Sequence, residues 1–345
     1  MQRRRRLWII LLATPLMLLA ADTLYWWIVV SNLEHGFGAW EAAQRAAGWT
    51  EQHGPAVRSG WPLAATLTVP AMSIAGGNPS IPGGLAWTAD RLVLRVALPQ
   101  PQSLEIMPEG RQRLRLAGYA EIPFTADRTR LVFPLPAAPW PGSMELVTDN
   151  LRADTPIGGD ASVQSLRLHL DFSPDAQSGE PAVTFSLKTE MISPPSGIVR
   201  PFGPRIANLE LDGTLSGPVP VGHTPAEQAA AWRDGGGSLE IQHLAVVWGP
   251  LDLTASATLA LDDQLQPMGA GSARLVGYAE TLDALTAHAA ISRSAATATK
   301  AVLSLLAHNP EDGSPPDVEV PLTLQYRTLS MRQVPLVRLP EVDWP

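Results

Sequence analysis

Seven histidines, His35, His53, His169, His223, His243, His288 and His308, are the side chains best suited to move a proton or ligate a metal near neutral pH. Their spacing serves neither purpose. Two ligands on one helix face need H-x3-H or H-E-x-x-H spacing, and no two histidines stand that close. Asp262-Asp263 is an adjacent acidic pair, but Gln264 follows it in what reads as a turn. There a carboxylate caps backbone amides more readily than it acts as a general acid or base. Gly235-Gly236-Gly237-Ser238 closes a predicted helix instead of opening one, so it does not form a phosphate cradle at a helix N-terminus. The chain has no cysteine, no G-x-S-x-G elbow and no lysine after a glycine-rich run. The sequence therefore predicts no catalytic residue, no metal and no cofactor, and the chain reads as a non-enzyme. Convergence of distant residues in the fold is the route to a site that spacing does not reveal.

Physical chemistry of another kind is plain at the N-terminus. Leu7 to Val30 is apolar except for Asp22 and a few small or hydroxyl residues, and Arg3, Arg4, Arg5 and Arg6 stand immediately before it. As a helix the stretch reaches ~36 Å, enough to cross a ~30 Å hydrocarbon core with some tilt. The arginines predict a cytoplasmic tail over 1–6, a span over 7–30 and the remaining 315 residues on the far side. Tyr25, Trp26 and Trp27 fall where amphipathic rings prefer the outer headgroup level. Asp22 lies one turn inside them, close enough to the interface to be hydrated. A cleaved signal peptide is the competing reading, with Leu7 to Leu19 as its apolar region and Ala20-Ala21 before the cut. A twin-arginine export signal fits Arg5-Arg6-Leu7-Trp8 only loosely. The anchor and the signal peptide deliver the body to the same compartment.

That body is acidic. Without Arg3 to Arg6 and Asp22 it holds 21 Lys+Arg against 32 Asp+Glu, a net charge of −11, so it repels nucleic acid. Proline and glycine make up 61 of 345 residues while apolar residues make up 45%, which means many short punctuated strands around ample apolar surface. After the span, 31–48 reads as an amphipathic stalk helix, with Leu33, Phe37, Trp40 and Ala47 on one stripe and Gly48 as a left-handed C-cap.

From Trp49 the apolar period changes from 3.6 to 2. Leu92, Leu94, Val96 and Leu98 alternate with Arg91, Val93, Arg95 and Ala97; Leu114 and Leu116 alternate with arginines; Leu166, Leu168, Leu170 and Phe172 alternate with Arg167, His169 and Asp171. These are half-buried strands of an antiparallel meander. Breakers fall at Gly60-Trp61-Pro62, Gly76-Gly77-Asn78-Pro79, Pro82-Gly83-Gly84, Pro99-Gln100-Pro101, Pro108-Glu109-Gly110, Pro141-Gly142 and Ser178-Gly179, giving about eight strands over 49–192. The Pro/Gly-rich stretch 193–204 is the predicted connection to a second β region, 205–345. Its strands lie at Leu209-Leu211, Leu239-Ile241, Leu251-Leu253, Leu259-Leu261, Arg274-Val276 and Leu322-Leu324. Two helices interrupt it. One, near 224–234, is signed by Thr224 as N-cap, Pro225 at N1, Glu227 closing a capping box and Gly235 at the end. The other covers 281–307, with a break around Ser292 and a stop at Asn309-Pro310. One internal echo, Arg115 to Glu121 against Arg274 to Glu280, matches in six of seven positions; duplication and convergent turn chemistry both account for it.

Several stretches together resemble a known family. They are Leu33-Glu34-x2-Phe37-x2-Trp40 with Arg45-x2-Gly48-Trp49, Gly60-Trp61-Pro62 running on to Val69-Pro70, Gly84-Leu-Ala-Trp87, Trp248-Gly-Pro-Leu-x-Leu253, Leu261-Asp-x3-Gln266-Pro-x-Gly269 and Pro335-Leu-x2-Leu339-Pro340. In this the chain is similar, over nearly its whole length, to bacterial envelope proteins of domain-of-unknown-function family 2125 (DUF2125). That resemblance implies an envelope location and carries over no catalytic residue. The stretch Leu211 to Pro218 is also similar in style to AsmA-type inner-membrane proteins, a similarity that implies lipid handling.

The expected architecture is mainly β: an N-terminal transmembrane helix followed by curved antiparallel meander sheets, as an open groove or a sandwich. The expected place is the bacterial inner membrane, single-pass, with the body in the periplasm. Leu92, Leu94, Val96, Leu98, Leu114, Leu116, Leu168 and Leu170 are the candidate hydrophobic face, for a lipid or other hydrophobe. A closed sandwich serving as a structural or protein-interaction module would hide the same residues. Geometry, not period, separates the two.

Overall fold

The computed structural model describes residues 2–77, 84–99, 101–116, 120–135, 142–218, 224–288, 291–308, 315–331 and 334–344, with the side chains of 2–12, 295 and 334 left aside. The breaker residues Asn78, Pro79, Pro82, Gly83, Gln100 and Pro141, together with residues 117–119 of the echo, His223 and Asn309-Pro310, lie outside the described residues.

Helix α1 (Gln2–Ala46) is a single rod, so the predicted span and stalk helix are continuous. Pro15 sits inside it, and Gly48 (φ 85°) ends the turn beyond it in the left-handed region that glycine tolerates. Ten strands follow: β1 (Thr50–Gln52), β2 (Val57–Ser59), β3 (Ala64–Gly76), β4 (Leu85–Ala97), β5 (Ser103–Leu116), β6 (Ile122–Thr125), β7 (Arg128–Pro134), β8 (Ser143–Asp154), β9 (Asp160–Phe172) and β10 (Pro181–Ser193). After β11 (Ile206–Ser216) comes α2 (Pro225–Asp234), then β12 (Ser238–Trp248), β13 (Leu251–Leu261) and β14 (Pro267–Val276). Helices α3 (Tyr278–Ala287) and α4 (Arg293–Leu306) precede β15 (Asp317–Gln325), β16 (Thr328–Met331) and β17 (Val334–Arg338). Helix α2 carries the predicted capping box between Thr224 and Glu227 and ends at Gly235.

Among the described residues all seventeen strands belong to one antiparallel sheet, and from β3 onward each pairs with its neighbour in sequence except β6 and β7. β1 and β2 both pair with β3, while β6 and β7 share one strand position between β5 and β8. The connection at 193–204 joins β10 and β11, which are neighbours in the sheet. Two expected breaks are absent. Leu251 to Leu261 is one strand, because Thr254 to Thr258 are small enough to continue the ladder. Pro108-Glu109-Gly110 does not end β5; it sits where β5 leaves β7 after Ile106 and has not yet met β6 at Gln112. The missing amide of Pro108 thus faces an unpaired gap.

Gly110 (φ 82°) belongs to a line of irregularities that crosses the sheet. Ala71 (φ 52°) in β3 lies opposite Asp90 in β4, and Asp90 lies opposite the Gly110 bulge in β5. Farther along, Asn150 (φ 52°) in β8, Gln164 in β9 and Met191 (φ 51°) in β10 stand in register. At Ala71, Asn150 and Met191 the two-residue alternation slips by one, from Val69 to Met72, from Thr148 to Leu151 and from Thr189 to Ile192, in both paired strands at once, so the pairing register runs on unbroken. The slip matters because an extra residue would otherwise turn every later side chain to the opposite face. Here it keeps the apolar residues on one side along the whole strand.

Candidate functional site

Directly opposed residues of antiparallel strands point to the same face. Followed strand by strand, one cross-strand row reads Leu67, Leu94, Ile106, Leu131, Leu146, Leu168, Leu187, Leu211, Leu244, Ala255, Ala273 and Val320. Every member is aliphatic. At about 4.8 Å per strand the row runs ~53 Å, against ~30 Å for the hydrocarbon core of a bilayer. A second row beside it runs Met144, Leu170, Phe185, Gly213, Ile241, Ala257, Gly271, Leu322 and Met331. Phe185 lies over Gly213, where an added Cβ would meet its ring at 2.4 Å.

The opposite face is polar. Glu105 accepts from Arg95 at 2.8 Å and from Arg130 at 3.3 Å, and Arg91 pairs with Glu109. Near the far edge Arg274 Nε donates to Asp317 at 2.7 Å. That hydrogen bond holds the Asp317 carboxyl below the usual carboxylate range, against the opposing pull of burial, and raises the Arg274 guanidinium. Ser186, Asp212 and His243 also share a row on this face. The carboxylate stands in the middle where a nucleophile relay needs the imidazole, and no hydrogen bond joins the three. Asp262 caps its own turn, accepting from the amides of Gln264 (2.9 Å) and Gln266 (2.8 Å). Among the described residues no cluster of three or more His, Asp or Glu side chains is arranged to hold a metal.

Helices cover the two ends of the apolar face. Leu33 and Phe37 of α1 pack on Leu67, Val69, Met72, Leu92 and Leu94, and Val30 packs with Ala65 and Leu98. At the other end Leu282 of α3 and Leu303 of α4 close over Val318. Between β7 and β12 the picture changes. No leucine, isoleucine, valine or phenylalanine of the face is buried there; Leu131, Leu146, Leu168, Leu187, Leu211 and Leu244 are all half-buried.

The eight candidate residues thus share one face but not one environment. Leu92, Leu94, Val96 and Leu98 are buried, the first two directly beneath α1. Leu114 and Leu116 lie near the other end of β5, half-buried and exposed respectively. Only Leu168 and Leu170 fall in the uncovered stretch, whose remaining residues (Leu131, Leu146, Leu187, Leu211 and Leu244) were not singled out by spacing. Their signal was the phase slip, which hides a continuous face behind strands that look out of step. Among the membrane residues, Arg3 to Arg6 begin α1, with side chains outside the described set. Tyr25 and Trp27 are exposed at 40% and 54%, whereas Trp26 turns to the sheet and donates Nε1–H to Ala64 O at 3.0 Å.

An apolar N-terminal helix carrying one long antiparallel sheet, with a single continuous apolar face, defines a β-rich scaffold protein. The chain belongs to the family described as "Uncharacterized protein conserved in bacteria (DUF2125)", whose family model matches residues 26–340. It matches no curated protein and no solved structure. One stretch that carries the resemblance is tied to the C-terminal residues just beyond another: Gln266 Oε1 accepts from Val342 N at 2.9 Å, its Nε2 donates to Val342 O at 3.0 Å, and Trp344 donates to Leu265 O.

Proposed function

We propose that this protein is a membrane-anchored scaffold that holds a lipid or similar hydrophobe along the uncovered middle of its apolar face. Helix α1 is long and apolar enough to cross a membrane. In this reading it stays uncleaved in the inner membrane and the acidic sheet stands in the periplasm, doing no catalysis. The observation that carries the reading is the registered aliphatic row whose leucines, between β7 and β12, are half-buried, with no hydrophobic cluster among the described residues closing over them. A contiguous apolar strip left open at the surface is the mark of a partner or ligand site. An acyl chain satisfies such a face because each methylene it withdraws from water contributes ~0.8 kcal/mol and asks for no polar contact. A closed sandwich would bury these leucines as fully as Leu67, which has no exposed surface.

Native mass spectrometry of the full-length protein extracted gently from membranes tests this. The expected result is a bound phospholipid that is lost in the double variant Leu168→Asp/Leu187→Asp, with circular dichroism unchanged. A folded wild type that carries no lipid, even after incubation with phospholipid vesicles, overturns it.

A further inference from the structure

If Leu7 enters the bilayer at its inner boundary, twenty helical residues at ~1.5 Å each bring α1 to the outer boundary near Trp26. Trp26 is the residue whose indole N–H is held by the carbonyls of Ala64 (3.0 Å) and Ser59 (3.4 Å). Those carbonyls flank the four-residue turn Gly60-Trp61-Pro62-Leu63. The direction of β3 is fixed at both ends: Ala65 packs with Val30, while Ala75 pairs with Thr50, just beyond the outer end of α1. β3 therefore rises along the helix away from the membrane, and the turn before Ala64 points back toward it. In that turn Leu63 is 70% exposed and Trp61 45% exposed, an apolar tip whose outer surface no described residue covers. Gly60 (φ 95°) makes the tip tight, since an added Cβ would meet Ala64 O at 2.5 Å. Beside it, Tyr25, Trp27 and Ile28 of α1 are exposed at the same height.

We propose that the Gly60–Leu63 turn is a second membrane contact, a wedge seated in the outer leaflet beside α1, with Trp61 at the headgroup level and Leu63 among the acyl chains. This rests on the reading of α1 as an uncleaved anchor. A lone helix leaves the sheet free to swivel; two contacts fix its height and rotation and start the apolar face at the bilayer surface.

The chain lacks cysteine, so single thiols report cleanly. Full-length variants Leu63→Cys, Trp61→Cys, Leu18→Cys and Val199→Cys would each carry a nitrobenzoxadiazole label and be reconstituted into phosphatidylglycerol/phosphatidylcholine vesicles. Val199 is 70% exposed at the opposite ends of the strands. The expected result is blue-shifted emission at positions 63 and 61, with at least twofold more quenching by acyl-chain nitroxide lipids than at 199, and strong quenching at 18. Quenching at 18 with 63 and 61 indistinguishable from 199 overturns the wedge while leaving the anchor intact. No quenching at 18 overturns the anchor, and the wedge with it. Leu63 is largely solvent-facing, so loss of folding does not confound its reading, and position 61 checks it.

Discussion

At the scale of single residues, the stabilising chemistry lies at points where two distant stretches share one hydrogen bond. Arg274 and Asp317 are an example with a defined pH dependence. The folded carboxyl is depressed below its ordinary value of 3.8 by the guanidinium, so the unfolded chain binds the proton more readily in the acid range. The pair's contribution is therefore complete above the ordinary carboxylate range and fades as pH falls through the lower folded value. Melting temperatures measured from pH 7 to pH 3 should fall less steeply for Asp317→Asn than for the parent, from a lower starting point. Gly249 is a steric counterpart: its φ is 56°, and an added Cβ would lie 2.1 Å from Phe202 O, beside the Trp248 Nε1–Gly203 O bond. Gly249→Ala should cost more than the ~1–2 kcal/mol of a left-handed alanine alone, read as a lowered denaturation midpoint. The sequence displayed Trp248-Gly-Pro as one of the stretches that carry the family resemblance. Its partner, the 193–204 connection, was visible only as a Pro/Gly-rich break, because spatial adjacency across 45 residues leaves no local periodicity.

At the scale of elements, sequence and structure agree where local chemistry decides and part where register does. The capping box of α2 and the break between α3 and α4 were legible because each is written within a few residues. The phase slips were not. Asn150 and Met191 have no glycine or proline beside them, Ala71 has only Pro70, and each costs local backbone strain of order 1 kcal/mol that the aligned apolar face offsets. Their role is to absorb one residue without turning the strand over. Deleting Met191 should therefore leave Ile192 on the apolar face but shift it by one residue against Val163 and Ile206, weakening the β9–β10–β11 pairing at that end, seen as faster amide exchange and earlier proteolysis there. Met191→Gly, which keeps the residue count and relaxes the left-handed backbone, should fold as the parent does. A deletion that leaves exchange unchanged would show that the register is set elsewhere. The same logic separates the candidate residues as probes of the apolar face. A charge at Leu94, 5% exposed beneath α1, tests folding, whereas a charge at Leu168 tests the surface.

At the scale of the whole molecule, the accessible surface is 20929 Å² for a 36.9 kDa chain, where a compact monomer of that mass exposes about 13,600 Å². The protruding half of α1 and a single sheet whose middle no described residues cover as a second layer both add exposed surface. Such a body has paid for its backbone order without collecting the full burial that a sandwich would return. Its native state should therefore be markedly stabilised by anything that binds the apolar face and not the unfolded chain. Linkage sets the size: a ligand at a hundred times its dissociation constant adds ~2.7 kcal/mol, a rise of a few degrees in melting temperature for a chain of this length. Titrating detergent-solubilised full-length protein with phospholipid should raise the melting temperature logarithmically with lipid concentration, and Leu168→Asp/Leu187→Asp should flatten that slope. Because α1 also meets lipid, the double variant is the decisive arm. An identical slope in both proteins assigns the stabilisation to the anchor and leaves the sheet without a ligand. A slope confined to the parent places the lipid on the row that begins at Leu67 and ends at Val320.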